Sequence, residues 1–178
     1  AITSAHGVKC WGQNSNGALG NGDPNLGNSN VPVDVVGLTS GVKDIALAYN
    51  HTCAITDSGA AKCWGENFDL QLGDGTTAPN ATSPVDVVGL SAGVKQMALG
   101  RYHTCALMDT GGVKCWGGND EGQLGTSSTT GEATPTDVTG LTTGVRAIVA
   151  GTLHTCALME SGGVKCWGRN AEGALGDG

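Results

Sequence analysis

The chain repeats itself every 51 to 53 residues, and no other feature restricts its fold as severely. The triplet Cys-Trp-Gly begins at Cys10, Cys63, Cys115 and Cys166. The phrase His-Thr-Cys-Ala begins at His51, His103 and His154. A further shared segment runs into each of these phrases: Val31 to Asn50, Ser83 to Tyr102 and Thr134 to Leu153. Such a unit is a single supersecondary element. It buries its apolar face only against the next copy, so stability comes from stacking neighbours.

The drift in period has one source. The segments Asp23–Val31, Thr76–Ser83 and Ser128–Thr134 hold nine, eight and seven residues. They are rich in Asn, Thr, Ser, Gly and Pro, which reads as an exposed loop. The rest is metrically constant, as packed strands require. Val33, Val35 and Val87 alternate with polar or small neighbours, and Val42–Ala46, Val94–Ala98 and Val145–Val149 are short β-prone runs.

The phrase His103 to Gly117, HTCALMDTGGVKCWG, predicts a hairpin. Setting Cys105 opposite Cys115 places Ala106 opposite Lys114, Leu107 opposite Val113 and Met108 opposite Gly112. Asp109, Thr110 and Gly111 remain as a three-residue loop that ends on a left-handed glycine. Gly59 and Gly162 hold the same place, and His6 holds it in the first copy. Histidine tolerates that conformation better than most residues do. Short strands repeated at about this interval point to propeller blades.

The pattern G-x-x-H-T-x-A-L, then G-x-V-x-x-W-G, then N-x-x-G-Q-L-G is carried by Gly100, His103, Thr104, Ala106, Leu107, Gly112, Val113, Trp116, Gly117, Asn119, Gly122, Gln123, Leu124 and Gly125. It resembles the repeat of the regulator-of-chromosome-condensation (RCC1-type) family along the whole chain. The resemblance implies an all-β fold, a β-propeller whose blades have four antiparallel strands in a ring that is usually seven-bladed. Residues 1–178 then form a single partial propeller domain of about three and a half repeats, approximately 1–53, 54–105, 106–156 and 157–178. An open arc exposes blade faces and strand edges, an association hazard. The expectation is that further blades of a longer chain close the ring or that copies associate.

The hairpin register sets Cys53 across from Cys63, Cys105 from Cys115 and Cys156 from Cys166. Facing positions in antiparallel strands come close enough for a disulfide. Disulfides imply an oxidising compartment, hence an extracellular or cell-surface location. Two other readings stand beside this one. The thiols are reduced and act as small buried hydrophobes, or they ligate zinc, which their spacing fits poorly. Cys10 is the odd one, because its partner would fall just before Ala1.

His51, His103 and His154 recur once per repeat. They read as imidazoles hydrogen-bonded to backbone near a strand start, and Trp64, Trp116 and Trp167 as packing between blades. Repetition at a fixed phase argues for scaffold. No catalytic constellation, cofactor site or metal-ligand set stands apart from the repeats. The net charge of −7 argues against nucleic acid or an anionic membrane surface as a partner, and no apolar run is long enough for a membrane span. What does vary lies before each His and in the variable segments. Tyr49, Asn50, Arg101, Tyr102, Leu153, Asn80 and Glu132 are therefore the candidate protein contacts, since aromatic and arginine side chains are favoured interface anchors. The function expected is a non-enzymatic protein-binding scaffold, secreted or surface-exposed, with a protein partner or self-association. The alternatives are a secreted enzyme inhibitor of the propeller type and an intracellular guanine-nucleotide exchange or adaptor protein.

Overall fold

A computed structural model describes residues 1–23, 25 and 27–178. All of its regular structure is β, with no helix among the described residues. The strands are β1 (Lys9–Gly12), β2 (Ser29–Asp34), β3 (Val42–Leu47), β4 (His51–Thr56), β5 (Ala61–Glu66), β6 (Asn80–Asp86), β7 (Val94–Leu99), β8 (His103–Met108), β9 (Val113–Gly117), β10 (Glu132–Asp137), β11 (Val145–Ala150), β12 (His154–Met159) and β13 (Val164–Gly168). They form antiparallel sheets in the order β1-β2, β3-β4-β5-β6, β7-β8-β9-β10 and β11-β12-β13. The two four-stranded sheets are complete blades of an arc of β-propeller. The spacing of the repeat is visible in the sequence, but its phase is not: sheets begin at Val42, Val94 and Val145, which lie 32, 31 and 30 residues after the cysteine of the preceding Cys-Trp-Gly triplet.

The central hairpins have the register that the cysteine spacing implies. Cys105 faces Cys115, Ala106 faces Lys114 and Leu107 faces Val113. The Met108 amide donates to the Gly112 carbonyl at 2.8 Å. Gly111 closes the turn with φ +79°, and His6 sits at the same place with φ +58°. A side chain at Gly111 would add strain to a left-handed turn. Disulfides join Cys53–Cys63, Cys105–Cys115 and Cys156–Cys166, each with 4.1 Å between Cα atoms. Cys10 is a buried free thiol opposite Val33, and burial pushes its pKa up. Each disulfide joins cysteines ten residues apart, and closing a loop of that length stabilises the fold by about 3 kcal/mol in the chain-entropy model. The double variant Cys105→Ala/Cys115→Ala should therefore lose about that much in denaturant unfolding. Both sulfurs are fully buried, so in the native protein the bond should resist a thiol reductant until the blade opens. Rapid reduction without loss of structure would contradict this.

The fourth strands depart from the sequence-based expectation. The segments Asp23–Val31, Thr76–Ser83 and Ser128–Thr134 were expected to be loop throughout, yet β2, β6 and β10 begin at Ser29, Asn80 and Glu132. Pro24 and Leu26 of the first segment lie outside the described residues. The reason is that a fourth strand pairs on one side only and leaves its other side to solvent. Polar residues satisfy it, and no apolar alternation announces it. Opposed charges reinforce this edge: Lys9–Asp34, Lys62–Asp86 and Lys114–Asp137 pair at 2.6–2.7 Å on the surface.

The core lies between blades. Trp116, on β9, packs with Cys53, Ile55, Cys63 and Leu72 of the preceding blade. Trp64 packs likewise with Val8, Cys10 and Leu19. The close fit needs glycine at Gly73, where a Cβ would meet the Trp116 indole nitrogen at 2.5 Å. Next to the axis, the Gln96 side chain clamps the neighbouring inner strand. Its amide donates to the Ile148 carbonyl at 2.8 Å, and its oxygen accepts from the Ile148 amide at 3.1 Å.

Candidate interaction face

Each blade has a fixed bond to the next, and the recurrent residues supply it. The Gln71 carbonyl accepts from the Thr104 hydroxyl at 2.8 Å and from the Trp116 indole at 2.9 Å. The Thr104 oxygen is in turn 2.9 Å from His51 Nε2. The next copy repeats the set: Thr155 and Trp167 donate to the Gln123 carbonyl, and His103 Nε2 lies 2.8 Å from the Thr155 hydroxyl. The geometry assigns the histidine tautomer. Each threonine gives its one proton to a carbonyl, so it can only accept from the imidazole, and Nε2 carries the hydrogen. The bare Nδ1 atoms of His51 and His103 are buried without a partner. The imidazole partner is thus the threonine hydroxyl of the next blade, which corrects the expected bond to backbone. The threonine stands across the blade interface with a lone pair to offer, because its own proton goes to the Gln71 or Gln123 carbonyl.

Burial has a large electrostatic effect on these rings. It lowers the His51 pKa to about 3 and the His103 pKa to about 4, with the neighbouring histidine of the series adding to the shift. Both rings are neutral at physiological pH and fill a structural role. Among the described residues, no group of three or more His, Cys, Asp or Glu side chains is placed to hold a metal ion.

The residues that break the repeat are placed differently. The loops 48–50, 100–102 and 151–153 join the first and second strands of successive sheets. The loops 67–79 and 118–131 join third and fourth strands. Antiparallel register puts all of them at one end of the sheets, since His51 faces Gly65 and Glu66 faces Asn80. Asn80 and Glu132 open their strands at this same end. Tyr49 is 74 % exposed. Asn50 is half-buried and donates to Glu66 at 2.6 Å. Arg101 is exposed, with its guanidinium carbon 5.1 Å from the Tyr49 ring centre and 4.9 Å from that of Tyr102. Leu153 is half-buried, in a hollow with His154 and Arg169.

The sequence reading missed Glu66. Its carboxylate accepts from Asn16 at 2.8 Å as well as from Asn50, and so ties two blades and a loop together. Asp69 lies nearby. Its pKa is raised by burial and then by the negative charges of Glu66 and Asp120. Phe68, 68 % exposed, projects from the same loop. A signal was present: the residue after each Cys-Trp-Gly is Gln13, Glu66, Gly118 and Arg169, a position as variable as those before the histidines.

Comparison with known proteins places the chain. Models of the regulator of chromosome condensation (RCC1) repeat match residues 7–55, 59–107 and 110–158, and a second RCC1 model matches 42–71, 94–123 and 145–174. The chain is 32 % identical over 183 aligned residues to the mitochondrial RCC1 domain-containing protein RUG3 of Arabidopsis thaliana, covering 99 % of this chain and 41 % of that protein. Among solved structures, human WBSCR16 superposes with a TM-score of 0.83 at 27 % identity, over 98 % of this chain and 46 % of that one. Yeast RCC1 (Prp20), solved bound to Kap60, also superposes at 0.83, with 23 % identity over 97 % and 42 % of the two chains. The chain spans less than half the length of each of these proteins. It belongs to the regulator of chromosome condensation (RCC1) repeat family.

Proposed function

We propose that the chain is a non-enzymatic scaffold that binds a protein partner through the end of the blades carrying Tyr49, Asn50, Arg101, Tyr102, Asn80 and Glu132. One observation carries this reading. The residues that repeat are used up in bonds between blades, and those that vary gather at one end with aromatic, arginine and amide side chains exposed. Such side chains suit protein contacts. The related yeast Prp20 was solved bound to Kap60, which is in keeping with a protein partner. Buried disulfides favour a secreted or cell-surface setting.

The test is capture of partners by the immobilised chain, from culture medium and from lysate, against a variant carrying Tyr49→Ala, Tyr102→Ala, Asn80→Ala and Glu132→Ala. Partners should be retained by the parent and lost by the variant, with the melting temperature little changed. Equal retention would place binding elsewhere. An intracellular adaptor or exchange role is the second reading, supported by the mitochondrial relative RUG3. Alkylation of the protein from its source cells, followed by intact mass, separates the two: three intact disulfides favour the first, free thiols the second.

A further inference from the structure

Arg101 stands out on this face. The ion pairs among the described residues involve His6, Lys9, Lys62, Lys114 and Arg169, and Arg101 takes part in none. Its backbone amide donates to the Thr152 carbonyl of the next blade. Its side chain is held by two tyrosines, Tyr49 from one blade and Tyr102 from its own. Cation–π contact restrains the long arginine side chain and leaves the N–H edge of the guanidinium available, so less rotamer freedom is lost when a ligand binds. Below it lies a cleft of about 320 Å³ floored by Ala48, Leu99, Gly100, Ala150 and Gly151, at the ends of three inner strands. Small residues there let a partner's backbone approach closely.

The surrounding charge narrows the ligand. Tyr102 Cβ and Asp69 Cβ both lie within 3.5 Å of the point where a Cβ on Gly118 would stand, so Asp69, whose charge neighbours are Glu66 and Asp120, lies beside one of the two rings that hold the arginine. A polyanion or a dianionic phosphate would be repelled by these carboxylates, whereas one carboxylate has only to reach the guanidinium edge. We propose that Arg101, held against Tyr49 and Tyr102 at the mouth of the cleft, receives a single carboxylate from an extended segment of a partner protein. The carboxylate is either an Asp or Glu side chain or the chain's C-terminus. This rests on the protein-binding reading and specifies its chemistry.

The test is a random library of short synthetic peptides, displayed with free and with amidated C-termini and probed with the whole chain and with Arg101→Gln and Arg101→Lys. Retained peptides should share an Asp or Glu at one position, or should require the free C-terminus; these two arms distinguish the sources. Replacing that carboxylate by its amide should weaken binding about tenfold or more, and Arg101→Gln should do the same. The two changes together should cost no more than either alone, because they remove one contact. Arg101→Lys should fall between, since it keeps the charge and loses the planar fork. Retained peptides that bind Arg101→Gln equally, or that require a phosphate, would overturn the inference and leave the protein-binding reading standing. A library from which nothing is retained would count against both.

Discussion

Trp116→Ala should lower stability by about 4 kcal/mol. Trp116 is fully buried. Removing the Trp116 indole empties the interface between two blades, whose lining includes the rigid Cys53–Cys63 strap and cannot collapse to fill it. The Gln71 carbonyl also loses one of its two donors. Trp116→Phe separates the contributions. It keeps most of the ring volume and should recover a large part of the loss, leaving the cost of the missing indole donor. Urea unfolding of the two variants and the parent chain measures both contributions. A loss below about 1 kcal/mol in Trp116→Ala would mean that the indole is not sealed between blades in solution.

The second large effect is acid sensitivity in a window where carboxylates have barely begun to titrate. In the native chain His51 and His103 are neutral, with pKa values lowered to about 3 and about 4 by burial. Unfolded, both regain an ordinary value of about 6.5 and take up protons there. The unfolded state therefore binds more protons below that pH, and stability must rise with pH across the window. It is fully present above about pH 7 and falls as the pH drops through 6.5. The fall continues to about 4 for His103 and about 3 for His51. For the two rings together the loss between pH 6.5 and 5 should be roughly 3 kcal/mol. The double variant His51→Gln/His103→Gln should flatten this slope. A glutamine amide can still donate to Thr104 and Thr155, and it does not titrate. An unchanged slope in the variant would mean that other groups carry the pH dependence.

Much of this fold was legible in the sequence, for reasons tied to particular residues. The Cys105–Cys115 register followed from two cysteines ten residues apart with Gly111 between them, because a three-residue hairpin loop leaves only one way to align the strands. Gly59, Gly111, Gly162 and even His6 take the left-handed turn. The outer strands were not legible. Asn80 to Ser83 looks like loop because an edge strand requires no apolar period. Glu66 also went unnoticed, since its partners Asn16 and Asn50 are 50 and 16 residues away and no local spacing connects them. The candidate face was half legible. The variable positions were visible one by one, but their meeting at one end of the blades depends on strand direction, and the stacking of Arg101 on two tyrosines depends on the angle between neighbouring sheets.

By itself the sequence determined the repeating unit: its period, the central hairpin and the residues that each copy presents to the next. Those are local properties, decided by turn geometry and strand register within a few tens of residues. The tertiary structure decided what each recurrent side chain meets. Trp64 and Trp116 are sealed against the preceding repeat. His51 and His103 reach a threonine on the following blade. Burial and these bonds are supplied by a neighbour about fifty residues away, so no local spacing announces them.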